Sequence, residues 1–187
     1  MDCLTILIFD VDDTLLKEVP ITAIDKPNVQ TLKYKPSEYS AKKYRERLVT
    51  RDASKVIHYE FVSDDTIIST VKINPKFEQM ESIRSIADKC YLASANDDNR
   101  TRAVLEQLKF GGYTLQELGF EFIPRDVFVK GMTKDLEKIK HYINCAHSRP
   151  CNITFFDDKT MNIKNGMDAR LVSVAPFKPE FNPFFIN

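Results

Sequence analysis

Apolar residues run from Leu4 to Phe9, broken only by Thr5, and the chain then turns abruptly to Asp10, Asp12 and Asp13 before becoming apolar again at Leu15 and Leu16. A continuous apolar run of this length predicts a strand covered on both faces, as in a parallel sheet. Three later runs repeat the pattern: Cys90-Tyr91-Leu92-Ala93, Val127-Phe128-Val129 and Ile153-Thr154-Phe155-Phe156. Leu171-Val172-Ser173-Val174 makes a fifth. Between them apolar positions recur at helical spacing over 77–88, 99–109 and 134–144, with Gly111-Gly112 as a helix stop, and a shorter helix follows Asp158 and ends near Gly166. Strands alternating with helices predict an α/β domain built on a doubly wound parallel sheet, which binds ligands at the carboxyl ends of its strands.

Residues 17–75 interrupt that alternation. Their first part contains prolines and is irregular, 36–49 predicts a basic helix, and 56–62 with 66–73 reads as two strands around Ser63-Asp64-Asp65. The expected organisation is a core of residues 1–16 and 76–187 with 17–75 as a small inserted cap, a helix plus a possible β-hairpin. The hairpin could instead extend the main sheet.

A chain of 187 residues is long enough for one proper core. Its 27 basic and 27 acidic residues cancel, so no global field draws it to nucleic acid or anionic lipid. No apolar stretch is long enough to span a membrane and the N-terminus does not read as a signal peptide, so a cytoplasmic location with no membrane partner is expected. Cys3, Cys90, Cys145 and Cys151 show no CxxC spacing and are expected to be reduced.

The strand ends gather Asp10-Val11-Asp12-Asp13-Thr14, Ser94-Ala95-Asn96-Asp97, Lys130 and Asp157-Asp158. Clustered carboxylates repel one another by about 4 kcal/mol per pair at 4 Å and an effective dielectric near 20, so a cation is needed among them. Oxygen-only ligands suit Mg²⁺. A nucleophile, a metal, donors to the phosphoryl oxygens and a proton donor are what in-line phosphoryl transfer requires, and each has a candidate here.

The order of these motifs resembles the haloacid dehalogenase-like (HAD) phosphatase superfamily. An apolar strand runs into Asp10-Val11-Asp12-Asp13-Thr14, a second ends in Ser94, a lysine follows at a helix start, and a last strand ends in Asp157-Asp158. The resemblance covers the core and not residues 17–75. It implies a HAD-like Rossmannoid fold and a Mg²⁺-dependent phosphomonoester hydrolase. Asp10 would become an aspartyl phosphate, and Asp12 would act as acid and then base, its backbone carbonyl helping to hold the metal. Thr14, Ser94, Asn96 and Lys130 would bind or orient the phosphate, with Ser94 and Lys130 also catalytic, and Asp157 and Asp158 would complete the metal site with Asp10 and Asp12. Lys134, one helical turn on, is the other candidate lysine. Lys130 is preferred because it stands at the expected strand-to-helix junction. The stretch from Phe155 to Ile163 resembles the final motif of the magnesium-dependent phosphatase branch, which gives Asn162 a supporting place. Asp13 occupies a position often filled by Gly. The small cap is compatible with a phosphorylated protein side chain as substrate, phosphotyrosine included, and a sugar phosphate or nucleotide is the alternative.

Other readings account for less. A calcium loop counted from Asp10 has Leu15 where Gly is needed and Ile21 where Glu is needed. A phospho-signalling receiver places its accepting aspartate ahead of the hydroxyl and lysine, on a middle strand, with no acidic pair after the lysine. A catalytically silent binding module on the same fold is the third reading. His141, Cys145, His147 and Cys151 match no usual zinc spacing and are read as surface histidines and buried cysteines. The basic run Lys42, Lys43, Arg45, Arg47 and Arg51 is read as a solvated helix face, with an anionic substrate as the alternative. The Phe- and Pro-rich tail after Pro176 is expected to pack back on the domain.

Overall fold

A computed structural model describes residues 2–49, 58–169 and 172–174. In chain order the elements are β1 (Leu4–Phe9), β2 (Leu16–Glu18), β3 (Val29–Tyr34), α1 (Glu38–Val49), β4 (Tyr59–Phe61), β5 (Ile67–Ile73), α2 (Met80–Ser85), β6 (Lys89–Leu92), α3 (Asp98–Gln107), β7 (Lys109–Phe110), β8 (Tyr113–Thr114), β9 (Glu121–Phe122), α4 (Arg125–Phe128), β10 (Val129–Lys130), β11 (Thr133–Lys134), α5 (Leu136–Ala146), β12 (Cys151–Phe156), α6 (Thr160–Asp168) and β13 (Val172–Val174). Arg51, Val56, Ile57 and the tail after Pro176 lie outside the described residues.

The main sheet is parallel, in the order β13-β12-β1-β6-β9, with β1 at its centre. Alternate residues of β1 enter two separate layers. Leu7 and Phe9 join a core with Phe77, Met80, Ile83 and Val104, while Ile6 and Ile8 join Leu136, Ile139 and Ile143 of α5. Burial on both faces is why β1 reads as an unbroken apolar run rather than an alternating one.

Two expectations are corrected. Val127-Phe128-Val129 is not a strand of the main sheet: Pro124 caps the short helix α4, and Val129 then pairs with Lys134 across a tight hairpin whose turn has Gly131 at φ 60°. The outer strand is instead the two-residue β9, joined to β6 and continued by the Ile123 N–H donating to the Leu92 carbonyl at 2.8 Å. Gly111-Gly112 is not a helix stop either. α3 ends at Gln107, and the two glycines, at φ 64° and 94°, form the turn between β7 and β8. A Cβ on Gly111 would also come within 2.1 Å of the Glu78 carbonyl oxygen.

Strands β2 to β5 build a second, antiparallel sheet in which β5 pairs with β3 along one edge and with β2 and β4 along the other. The hairpin of β4 and β5 turns through Asp64 and Asp65, both at positive φ, and belongs to this sheet rather than to the main one. Leu32, Tyr34, Val71 and Ile73 share the hydrophobic layer of Leu7 and Phe9, so the two sheets are joined through apolar packing. Glutamine clasps add to it. Gln107 accepts from the Lys33 N–H at 2.9 Å and donates to its carbonyl at 2.7 Å, and Gln30 does the same for Lys109 at 2.8 Å each. The four cysteines are free, with Cys90 buried and Cys3 and Cys145 exposed. Among the described residues no helix is long and apolar enough to cross a membrane.

Candidate active site

The register of β1 with β12 sets the centre of the site. Phe9 stands opposite Phe156, their rings stacked at 4.5 Å, and the Asp10 N–H donates to the Phe156 carbonyl at 2.8 Å. Adjacent strands run about 4.8 Å apart, so the next residue of each, Asp10 and Asp157, emerges beside the other at the carboxyl edge. On the other side of β1 the Ala93 N–H bonds to the Phe9 carbonyl at 2.8 Å, and Ser94 follows into the same crevice.

Two buried carboxylates side by side need a shared cation, and Lys134 supplies it. Its Nζ lies 2.6 Å from Asp10 Oδ1 and 2.6 Å from Asp157 Oδ2, with all three side chains buried. Asn162 fixes this arrangement by accepting from the Lys134 N–H at 2.9 Å and donating to Asp157 Oδ2 at 3.2 Å. The preference for Lys130 is therefore corrected. The helix begins at Leu136 with Asp135 as its N-cap, so the lysine at the helix start is Lys134, whereas Lys130 lies before the hairpin turn and is exposed. Burial tends to strip a lysine of its proton, but the two carboxylates outweigh it and hold the ammonium charged.

Burial pushes Asp10 well above the ordinary carboxylate range. Lys134 pulls it down, while Asp157 and Asp12 push it further up. Burial and the nearby Asp157 also raise the exposed Asp158. Asp10, Asp157 and Asp158 each offer an oxygen within 4.8 Å of the others. This three-carboxylate set fits a hard divalent cation, whose charge would offset the burial, and with it the neighbouring carboxylates, that raise Asp10 and Asp158. The Asp12 carboxylate is not in this set.

Asp12 faces the other way. Its Oδ1 accepts from Arg100 Nη2 at 2.9 Å and its Oδ2 from Asn96 Nδ2 at 3.1 Å. Burial alone would raise its pKa, but Arg100 and Asn96 together hold it below the usual carboxylate value. Arg100 is buried to 1% exposure, reaches Glu18 of β2 at 3.3 Å and lies against the Tyr34 ring. Sequence reasoning missed it. Its signal was the spacing, since Arg100 stands three and four residues before the buried Ala103 and Val104 and so shares their core face.

The remaining predicted residues divide. Ser94 is buried at the cleft, where its Oγ accepts from the Asn96 N–H at 3.1 Å. Asn96 lines the cleft, with its side-chain amide engaged by Asp12. Thr14 does not reach the cleft: it is fully buried and donates from Oγ1 to Asp10 Oδ2 at 3.2 Å, while its carbonyl accepts from Asn74 at 2.9 Å. Asp13 takes φ 63°, the left-handed conformation that favours glycine.

The cleft over these groups has a volume of about 870 Å³ and is open to solvent. Its floor is Asp10, Asp12, Ser94, Asp157 and Asp158, and one wall is helix α1. The start of α1 is tied to the core because Asp97 accepts from the Ser37 N–H at 2.9 Å while capping α3 through the Asn99 N–H at 2.8 Å. At the rim stand the exposed Tyr39 and Met132. The histidine and cysteine group assembles no multi-ligand metal site among the described residues. His141 approaches the exposed Cys145 at 3.5 Å, and His147 meets the Tyr91 hydroxyl at 2.9 Å.

No family model matches the chain, and no curated protein matches it in sequence. Solved structures do resemble it. The structure of Fcp1, an essential RNA polymerase II CTD phosphatase, is similar over 96% of this chain and 44% of that one, at 16% identity and a TM-score of 0.54. The HAD domain of effector protein Lem4 from Legionella pneumophila is similar over 97% of this chain and 91% of that one, at 17% identity and a TM-score of 0.48. The chain thus spans less than half the length of Fcp1. With the parallel sheet and its acidic strand ends in place, the similarity to the Fcp1 structure shows that the chain shares its α/β fold.

Proposed function

We propose that the chain is a Mg²⁺-dependent phosphomonoester hydrolase that works through an aspartyl phosphate on Asp10. The observation that carries this reading is Lys134 bridging Asp10 and Asp157 at 2.6 Å each, beside Asp158, at the ends of adjacent parallel strands. Asp10, Asp157 and Asp158 would hold the metal, which when bound neutralises phosphoryl charge.

In the first half-reaction an Asp10 oxygen forms a bond to phosphorus as the bond from phosphorus to the ester oxygen breaks. Asp12 gives that leaving oxygen its proton. Lys134 holds Asp10 in line, and Ser94 stands ready to donate to a phosphoryl oxygen. In the second half-reaction Asp12 removes a proton from water, whose oxygen attacks phosphorus and releases Asp10 with inorganic phosphate. The ionised form that Arg100 favours at Asp12 suits this second step.

For the substrate we propose a phosphorylated protein side chain. The open cleft supports this, as does the fold shared with Fcp1, itself an RNA polymerase II CTD phosphatase. The test is phosphate release from para-nitrophenyl phosphate, then from phosphopeptides, sugar phosphates and nucleotides, each with and without EDTA. Turnover lost in Asp10→Asn and on metal removal is expected; undiminished turnover in either case overturns the mechanism, and turnover of free metabolites alone overturns the substrate class.

A further inference from the structure

The basic run of residues 42–47 is divided by the helix that carries it. In α1 successive residues are 100° apart, so Lys43 and Arg47 share one face with Ser40 and Tyr44. That face lines the cleft. Arg45 points elsewhere, pairing with Asp65 and lying over the Phe61 ring at 5.5 Å. The acidic residues of the helix, Glu38 and Glu46, are absent from the cleft wall. The α1 wall therefore presents only cations, hydroxyls and tyrosines, while the carboxylates of the cleft lie on its floor and far wall, where Arg125 and Lys159 also stand.

The floor does not use these cations. Asp10 and Asp157 are bridged by Lys134, and Asp12 is held by Arg100. Neither Lys43 nor Arg47 forms an ion pair within 4.0 Å among the described residues. Arg47 rests over the Tyr44 ring at 5.7 Å, and both residues line the cleft. The bond from Ser37 to Asp97 pins the start of α1 beside the Ser94 loop. At 1.5 Å per residue, Lys43 and Arg47 then lie roughly 9 and 15 Å further along the helix axis. An extended peptide covers that span in roughly three to five residues.

We propose that the Lys43 and Arg47 face is a subsite for a second negative charge on the substrate, an acidic side chain three to five residues from the phosphorylated one. The proposal rests on the phosphatase reading and extends it to substrate choice. It separates a phosphopeptide with an acidic flank from one with a neutral flank, a distinction the floor of the site does not make.

Paired phosphopeptides with Glu or Gln at these distances on both sides of the phosphorylated residue, in phosphotyrosine and phosphoserine versions, test it against wild type and the Lys43→Gln/Arg47→Gln double variant. In wild type the Glu peptides are expected to have a kcat/KM about fivefold to tenfold higher, mostly through KM, with the advantage falling as salt rises. The double variant should bring the ratio to about one and leave para-nitrophenyl phosphate turnover unchanged. A wild-type ratio near one, or an equal ratio in the variant, overturns the subsite while para-nitrophenyl phosphate turnover leaves the phosphatase reading standing. If no substrate is turned over, that reading fails, and fluorescence anisotropy of the same labelled peptides decides the subsite: a Glu preference lost in the double variant supports it, and no preference ends it.

Discussion

Arg100 Nη2 meets Asp12 Oδ1 at 2.9 Å from within the core, on a helix whose other apolar neighbours face the sheet. A second carboxylate, Glu18 of β2, closes on the same guanidinium at 3.3 Å. The strand that opens the antiparallel sheet and the residue proposed to handle protons are thus tied to one cation.

Removing that cation should change chemistry as well as stability. Arg100 holds the Asp12 carboxyl below its ordinary pKa, so in Arg100→Ala the limb of the pH–rate profile that reports Asp12 should move to higher pH. The side chains of Asp12 and Glu18 are 33% and 35% exposed, so water relieves part of the loss, and the cost should fall near the lower end for a broken buried pair, about 3 kcal/mol. Arg100→Lys should restore stability more than activity, because the ammonium of a shorter side chain does not reach the point where Nη2 meets both carboxylates. An unshifted profile in Arg100→Ala would remove any role for it at Asp12.

Lys134 and Lys130 should behave as unlike residues. Lys134→Ala leaves Asp10 and Asp157 facing each other without their shared ammonium, and kcat should fall by about 10²–10³. Lys130→Ala alters an exposed hairpin position and should leave turnover near wild type. Steady-state kinetics on both variants, with circular dichroism to confirm folding, distinguishes them; equal losses would contradict the geometry.

Asp13 adopts φ 63°, which costs most non-glycine residues about 1–2 kcal/mol. Asp13→Gly should keep activity and match or exceed wild-type stability, whereas Asp13→Val should lose about that amount. Urea denaturation of the two variants measures the difference, and a stable Asp13→Val would show that the loop relaxes.

Asp97 links acid stability to the position of α1. Burial alone would raise its carboxyl, but the bonds from Ser37, Ser40 and Asn99 hold it below its ordinary value. A folded pKa below the unfolded value of about 3.9 means stability that is present above pH 4 and lost as the pH falls through the folded value. Asp97→Ala should therefore cost about 1 kcal/mol at neutral pH and progressively less below pH 4. Thermal melts of both proteins from pH 7 to pH 3 check this, and a constant difference across the range contradicts it.

The central strands were legible because burial on both faces leaves an unbroken apolar run, as in Leu4 to Phe9 and Ile153 to Phe156. The acidic strand ends were legible because charge after such a run has few structural uses. What failed to read from sequence depends on distant partners. β9 has only two residues and exists because β6 is beside it. β3 lacks a clear alternating pattern and is held by β5 and by the glutamine clasps. Phe128 is buried whether its backbone is strand or helix, so its hydrophobicity could not distinguish them; Pro124 and Gly131 decided the outcome. The same shift of boundaries moved the site lysine from Lys130 to Lys134. Arg100 was hidden by its residue type, since an arginine on an amphipathic helix normally faces water and only the overlying second sheet buries it.

β3 ends the antiparallel sheet, and the outer row of peptide groups on such a strand is ordinarily a template on which another chain can hydrogen-bond. Here the Gln107 amide occupies both the N–H and the carbonyl of Lys33, so at that residue a side chain acts as a one-residue strand. The clasp that ties β3 to α3 thus also takes up one of the outward-facing peptide pairs on which such pairing depends.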